Sequence, residues 1–209
     1  MSLFITFEGL DGAGKTTQIQ RLRQHLETTG RAVVCTREPG GTDLGDEIRT
    51  LLLEPRQSVP SPRTEALLYA ASRAQLLHEV IVPALRRGVV VLCDRYVDAS
   101  LAYQGEGLGL GVDAVDTVNR FATQGLRPHR TFLFDLAVEI SQDRVQRSRA
   151  HVGPDRIERR DGDYFERVRE RFLAIAAAEP DRVVTLDATQ SADALQQEIQ
   201  ASVANLLRT

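Results

Sequence analysis

Lysine is almost missing from this chain. Lys and Arg together number 26, and Lys15 is the one lysine among them. Tryptophan is absent and methionine occurs once. Only two cysteines are present, Cys35 and Cys93, too few for a disulfide framework or a cysteine-rich metal site. Both stand in apolar runs, so the expectation is two buried, reduced core thiols. The four histidines (His25, His78, His129, His151) are scattered without ligand spacing. A basic excess is also lacking: the formal net charge is −3. That argues against a general nucleic-acid binder and means that positive charge acts locally. No apolar stretch approaches the roughly 18 residues of a membrane span. The opening MSLFITFEGL has no basic n-region and too short an apolar run for a secretion signal. The expected location is the cytoplasm, with neither nucleic acid nor membrane as partner.

What is present is enough for a core. The chain has 209 residues, 42% of them hydrophobic, which predicts one globular domain over 1–209 with a small mobile insert. LFITFE, AVVCTRE, VVVLCD, TFLFD and RVVTLD read as strands. The continuous apolar character of VVVLCD suits a strand buried on both faces of a parallel sheet. Helical spacing appears in KTTQIQRLRQHLETTG, DLGDEIRTLLLE (with Asp43 as cap), VDAVDTVNRFAT, EISQDRVQRSR, DYFERVRERFLAIAAAE and ADALQQEIQASVANLL. TEALLYAASRAQLLHEVIVPALRRG reads as one long helix bent near Pro83. REPGGT and QSVPSPR are loops. The alternation predicts an α/β fold: a doubly wound, parallel sheet of about five strands with helices on both faces. In such folds ligands bind at the carboxyl ends of strands, where Glu8, Glu38, Asp94 and Asp135 stand.

The lone lysine lies in FEGLDGAGKTTQ. Gly9 to Thr16 fits G-x-x-x-x-G-K-[ST] between a strand and a helix, the pattern of a phosphate-binding loop. Glycines let backbone N–H groups converge on phosphate oxygens, and the helix adds its positive end. Lys15 supplies a compact charge on a long stem for the β- and γ-phosphates. A planar, forked arginine does not fit that cradle. Thr16 offers a hydroxyl to Mg²⁺. A second glycine run, GEGLGLG (105–111), fails G-x-G-x-x-G in every frame and reads as a flexible connection.

Phosphate loops serve switches, motors and kinases. A guanine-reading N-K-x-D is impossible without a second lysine, and a motor is usually larger. A small-molecule kinase needs an acceptor pocket, cations around the transferring group and a lid. The cations are arginines: Arg95 directly after Asp94, Arg37 and Arg49 flanking EPGGT, Arg73 on the long helix. Arg144, Arg147, Arg149, Arg156, Arg159 and Arg160 crowd a glycine- and proline-broken stretch. Any one of them also suits a solvated surface. Tyr69 and Arg73, four apart, share a helix face and offer a ring and a guanidinium to a base. Equally, Tyr69 suits a core position and Arg73 a carboxylate partner.

Together FEGLDGAGKTTQ, TREPGGT, DRYVDASLAYQG, DRIERR and TLDAT stand in the order found in the thymidylate kinases of the P-loop nucleoside monophosphate kinase family, which nearly the whole chain resembles. The resemblance implies transfer of the ATP γ-phosphate to dTMP, giving dTDP and ADP, with Mg²⁺ as cofactor. It implies that Gly9, Leu10, Asp11, Gly12, Ala13, Gly14, Lys15, Thr16 and Thr17 bind ATP, with Thr16 and Asp94 at the metal. Asp11 stands near the sugar 3′-hydroxyl and the metal. Arg95 and Arg49 hold the acceptor phosphate, and Arg37 and Glu38 line its site. Tyr69 stacks on thymine, Arg73 meets its O4, Ser100 and Gln104 touch the base edge, and Tyr103 crowds the 2′ position. Many relatives have phenylalanine in place of Tyr69. Gly12, where one branch has arginine, indicates the bacterial-type branch, whose lid (about 147–162 here) supplies the catalytic arginine from among Arg147, Arg149 and Arg156. A homodimer is also implied, with the apolar helix from Glu65 to Leu85 as a candidate interface. The alternatives are a kinase for another nucleoside monophosphate and a nucleotide-binding module without catalysis.

Overall fold

Five short apolar runs pair into a single all-parallel sheet of order β2-β3-β1-β4-β5. They are β1 (Phe4–Gly9), β2 (Val33–Arg37), β3 (Val90–Asp94), β4 (Arg130–Asp135) and β5 (Val183–Asp187). The computed structural model describes residues 2–54, 59–148 and 155–207. β1 lies at the centre, and every one of its residues is buried. The chain crosses from β1 to the edge strand β2, returns inward to β3, and only then passes to the other side for β4 and β5, so β1 and β3 end together at the middle of the carboxyl edge. This is the doubly wound, five-stranded architecture the sequence predicts.

Alternation along β1 sends residues to two different cores. Ile5 and Phe7 pack with α1 (Lys15–Thr28) and α9 (Ala192–Leu206), through Leu22, Leu26, Ile199 and Val203. Phe4 joins Val91, Leu76 and Ile81 on the opposite face. The remaining helices are α2 (Asp43–Leu53), α3 (Pro62–Leu76), α4 (Val82–Arg86), α5 (Val97–Ser100), α6 (Val112–Thr123), α7 (Val138–Ser148) and α8 (Gly162–Ala178); α3 and α4 pack with Phe4 through Leu76 and Ala84, and α5 and α8 pack on Leu133 of β4 through Ala99 and Phe165. Among the described residues no helix is long and apolar enough to cross a membrane.

Four details differ from the sequence reading. The cap of α2 is Thr42, not Asp43: the Thr42 hydroxyl accepts the Gly45 N–H. The long helix starts earlier, at Pro62 behind a Ser61 cap, and is interrupted by a π-helical segment, Leu77–Ile81. Pro83 follows that segment, and its missing N–H accounts for a break in the regular ladder there. Cys93 is buried as expected, but Cys35 is only partly so, because β2 is an edge strand. Finally, GEGLGLG is a connection only in part. Gly105–Gly107 belong to a π-helical segment, Leu101–Gly107, that continues α5. A Cβ on Gly107 would lie 2.6 Å from the Tyr164 ring and 2.9 Å from Val168, so glycine is what lets this segment rest on α8. Close packing here sets the position of Tyr103 and Gln104.

Candidate active site

The phosphate loop is built by the strand-to-helix turn after β1. Gly9 takes φ 126°, and a Cβ there would lie 2.4 Å from the Phe134 carbonyl oxygen. Gly14 takes φ 92° as the residue capping α1. Lys15, the first residue of α1, is buried, and its Nζ donates to the carbonyls of Leu10 (2.7 Å) and Gly9 (3.1 Å). Burial, then Arg95, hold its pKa below the ordinary amine value, while Asp11, Asp94 and Glu8 oppose this. The Thr16 hydroxyl donates to Asp94 Oδ2 at 3.2 Å, joining the start of α1 to the end of β3. α7 clamps the loop from outside: the Ser141 hydroxyl donates to the Asp11 carbonyl (2.7 Å), and Arg144 donates to the carbonyls of Gly12 and Ala188. Arg147, one turn further on, is exposed and pairs with Asp143 at 2.8 Å. The sequence reading named Arg144 only among the arginines of the broken stretch, ahead of the lid it placed at about 147–162. Arg149 lies outside the described residues.

Thr16 and Asp94 offer adjacent hard oxygens. Among the described residues no cluster of three or more His, Cys, Asp or Glu could hold a metal alone. Two oxygen donors beside a phosphate cradle fit Mg²⁺, which keeps waters and takes most of its shell from substrate phosphates.

Beside the loop lies a second pocket, walled by Tyr69, Arg73, Ser100, Tyr103, Gln104 and Arg95. Glu65, Tyr69 and Arg73 follow one another at i, i+4 and i+8 along α3, placing all three on one face. Arg73 is buried, and each of its three nitrogens is held, with one Nη1 N–H left over for the pocket. Its Nε donates to Glu38 at 2.7 Å, Nη2 to the Tyr96 carbonyl (3.0 Å) and the Ser100 hydroxyl (3.1 Å), and Nη1 to Asn119. It therefore has the carboxylate partner and the cavity position at once. Burial raises the Glu38 carboxyl, and Arg73 counters it. Burial also raises the Tyr69 hydroxyl well above its usual value, so the ring stays neutral. Arg156 turns to this wall rather than to the loop, donating to Glu65 (2.7 Å) and the Leu52 carbonyl (2.8 Å). Arg49 donates to the Pro39 carbonyl (2.9 Å), while Arg37 opens onto the neighbouring phosphate cleft, 3.4 Å from Asp46.

Arg95 links the two cavities. It follows β3 in a left-handed conformation (φ 68°), which is strained for a side-chain-bearing residue. Its Nη2 donates to Asp11 at 2.8 Å, and its guanidinium lies 4.9 Å from the Tyr103 ring centroid. The turn is held by the Arg95 N–H on the Phe7 carbonyl (3.0 Å) and the Tyr96 N–H on Glu8 Oε1 (2.7 Å).

Glu8, Glu65 and Asn119 carry this network, and the sequence reading assigned none of them a role. The i, i+4, i+8 spacing with Tyr69 and Arg73 is the signal that points to Glu65. Burial, then Asp98, pushes the Glu8 carboxyl up to about 8, well above the ordinary carboxylate range. Between that range and the raised value the folded protein binds the extra proton. Glu8 therefore stabilises the fold below that window, and its contribution is lost as pH rises through it. Urea midpoints of Glu8→Gln measured across the window should lack this slope; an unchanged slope would show that another group titrates.

The family model described as thymidylate kinase matches residues 7–199. A thymidylate kinase of Exiguobacterium sibiricum is 50% identical over 205 residues, covering 98% of this chain and 95% of the relative. One from Deinococcus radiodurans is 50% identical over 201 residues, covering 96% of each. The crystal structure of thymidylate kinase from Ehrlichia chaffeensis superposes with a TM-score of 0.77 at 31% identity, covering 97% of this chain and 98% of that one.

Proposed function

We infer the work of each residue from one premise: the chain belongs to the thymidylate kinase family, and it is an ATP-dependent kinase that converts dTMP to dTDP. The observation that carries the assignment of roles is the shared wall. Asp11, Glu38, Arg49 and Arg95 line both the phosphate cleft and the neighbouring pocket. Two nucleotides seated in these spaces meet phosphate to phosphate at Arg95.

In the transfer, a bond forms between the γ-phosphorus and an oxygen of the dTMP phosphate, the bond to the β–γ bridging oxygen breaks, and ADP leaves. The attacking oxygen is already anionic, so no general base is required, and the protein's part is alignment and charge neutralisation. Gly9 to Thr17 hold the ATP phosphates through backbone N–H groups, with Lys15 following the β- and γ-oxygens. Arg95 and Arg49 hold the acceptor phosphate. Asp11 orients Arg95 and borders the sugar. Tyr69 stacks on the base, Arg73 and Ser100 face its O4 edge, Gln104 its ring N–H, and Tyr103 the 2′ carbon. Thr16 and Asp94 would hold Mg²⁺, which supplies charge neutralisation on the phosphates when bound. Arg144, seated on the Gly12 carbonyl, joins Arg147, Arg149 and Arg156 among the candidates for the lid-side cation. The lid is read at about 147–162 on its arginine content, between α7 and α8.

We further propose a homodimer joined through α3 and α6, which pack side by side. Leu67 on α3 is 58% exposed and Phe121 on α6 is 89% exposed, an apolar pair suited to burial against a second copy. A cytoplasmic location agrees with free thiols at Cys35 and Cys93.

The test is ADP formation from ATP·Mg²⁺ with dTMP, dUMP, dCMP, dGMP or AMP. dTMP is expected to win clearly; a different winner would mean the base pocket is misassigned. Tyr103→Ala should admit the ribose analogue of dTMP better by about 10-fold in relative kcat/KM, from the space of one removed ring. An unchanged deoxy preference would place that selectivity elsewhere.

A further inference from the structure

We infer that Glu65 is a positioning residue for base choice: it fixes the amide of Gln104 so that a carbonyl oxygen, not an NH₂, is left to the acceptor base. The inference rests on the reading that Gln104 borders that base. Glu65 is 1% exposed, in the first turn of α3, and stands behind Gln104 rather than in the cavity wall. Its Oε2 accepts from Arg156 and from Arg160, each at 2.7 Å. Its Oε1 accepts from Gln104 Nε2 at 3.0 Å. A carboxylate gripped by two guanidinium groups can only accept hydrogen bonds. The buried Gln104 amide must therefore present its NH₂ to Glu65, because the opposite orientation would set two oxygens against each other in a buried site. Its own Oε1 is turned the other way.

That orientation has a chemical meaning. Thymine and uracil carry a ring N–H that a carbonyl accepts. Cytosine has a bare ring nitrogen at the same place, and two lone pairs would face one another. Glu65 thus imposes the acceptor on Gln104, and the two arginines impose the acceptor on Glu65. Arg160 is held in turn by Tyr164, lying 4.5 Å from its ring centroid, and Arg156 by the Leu52 carbonyl. Base choice is in this way tied to the residues that lead into α8.

Glu65→Gln is nearly isosteric but can donate as well as accept, which frees Gln104 to turn over. Glu65→Asp keeps the charge for both arginines and draws the carboxylate one methylene away from Gln104, so it remains informative if the first variant does not fold. The readout is the ratio of kcat/KM for dTMP over dCMP, together with KM for ATP. Both variants should lower the ratio by about 10-fold, the size of one misplaced buried hydrogen bond, chiefly through KM for the acceptor, with KM for ATP unchanged. The donors of Arg73 keep the remaining discrimination. A merely structural role would weaken both acceptors alike and leave the ratio where it was, which would overturn the inference. Gln104→Leu separates the premise from the inference. It should lower the ratio by itself, and Glu65→Asp should add nothing in that background. If Gln104→Leu leaves the ratio unchanged, the Gln104 reading falls and the inference with it. If it lowers the ratio but neither Glu65 variant does, the inference alone falls.

Discussion

Lys15→Met is expected to lower kcat/KM for phosphoryl transfer by about 1000-fold, or about 4 kcal/mol of transition-state stabilisation. The reasoning is electrostatic. Lys15 is 6% exposed and its charge sits on the carbonyl rim of the phosphate loop. There, charge moving from the γ-phosphoryl group toward the β–γ oxygen has a mobile ammonium beside it. Methionine keeps an unbranched apolar stem and removes the ammonium, with its hydrogen bonds to the Gly9 and Leu10 carbonyls. Lys15→Arg should rescue little, because a planar fork cannot follow the same oxygens. The fold should survive. Desolvation lowers the Lys15 pKa, so its buried charge is a local burden, and thermal midpoints should fall little. Steady-state kinetics with dTMP and ATP·Mg²⁺, alongside a melting curve, check both parts. Near-normal turnover would sink the assignment of this loop to the β- and γ-phosphates.

Arg73→Leu carries the largest expected effect on stability, a loss of about 3–5 kcal/mol. The side chain holds Glu38, Asn119, Ser100 and the Tyr96 carbonyl in one buried web. Leucine leaves the Glu38 carboxylate buried without its cation. For a protein of this length the cost corresponds to a fall of about 6–20 °C in Tm. The pH dependence has a definite sign. The Glu38 carboxyl is already raised by burial, with Arg73 the opposing influence. Without Arg73 its folded pKa rises further above the unfolded value. The variant's stability is then lost as pH rises, and its deficit should be smallest at the acid end. Adding Glu38→Leu should return much of the lost stability, since no charge then remains unpaired. Urea midpoints for the wild type and both variants at two pH values decide the matter. A small, pH-independent deficit in Arg73→Leu would show that the web contributes little.

How much of this was legible beforehand depended on sequence distance. The phosphate loop was readable because its chemistry lies within Gly9 to Thr16 and depends on backbone conformations that glycine alone takes readily. The five strands were readable as apolar runs. Tyr69 and Arg73 were readable as a pair, since helical periodicity puts them on one face. The 97–107 helical stretch was missed because its glycines look like a loop, whereas Gly107 is there to admit the Tyr164 ring. The cap of α2 was placed one residue late because Thr42 and Asp43 are both good cap residues and only geometry separates them.

The sequence alone therefore determined the class of fold, the glycine turn that carries Lys15 between strand and helix and, by resemblance, the kinase activity and its acceptor. These are properties of contiguous residues. The tertiary structure decided which charges meet. Glu65 joins Gln104 across 39 positions and Arg156 across 91, and Arg73 joins Asn119 across 46. It also decided that Arg144 rather than Arg147 rests on the phosphate loop. Burial is what gives these pairings their weight: a carboxylate removed from water needs donors supplied by distant elements, and only packing brings those elements together.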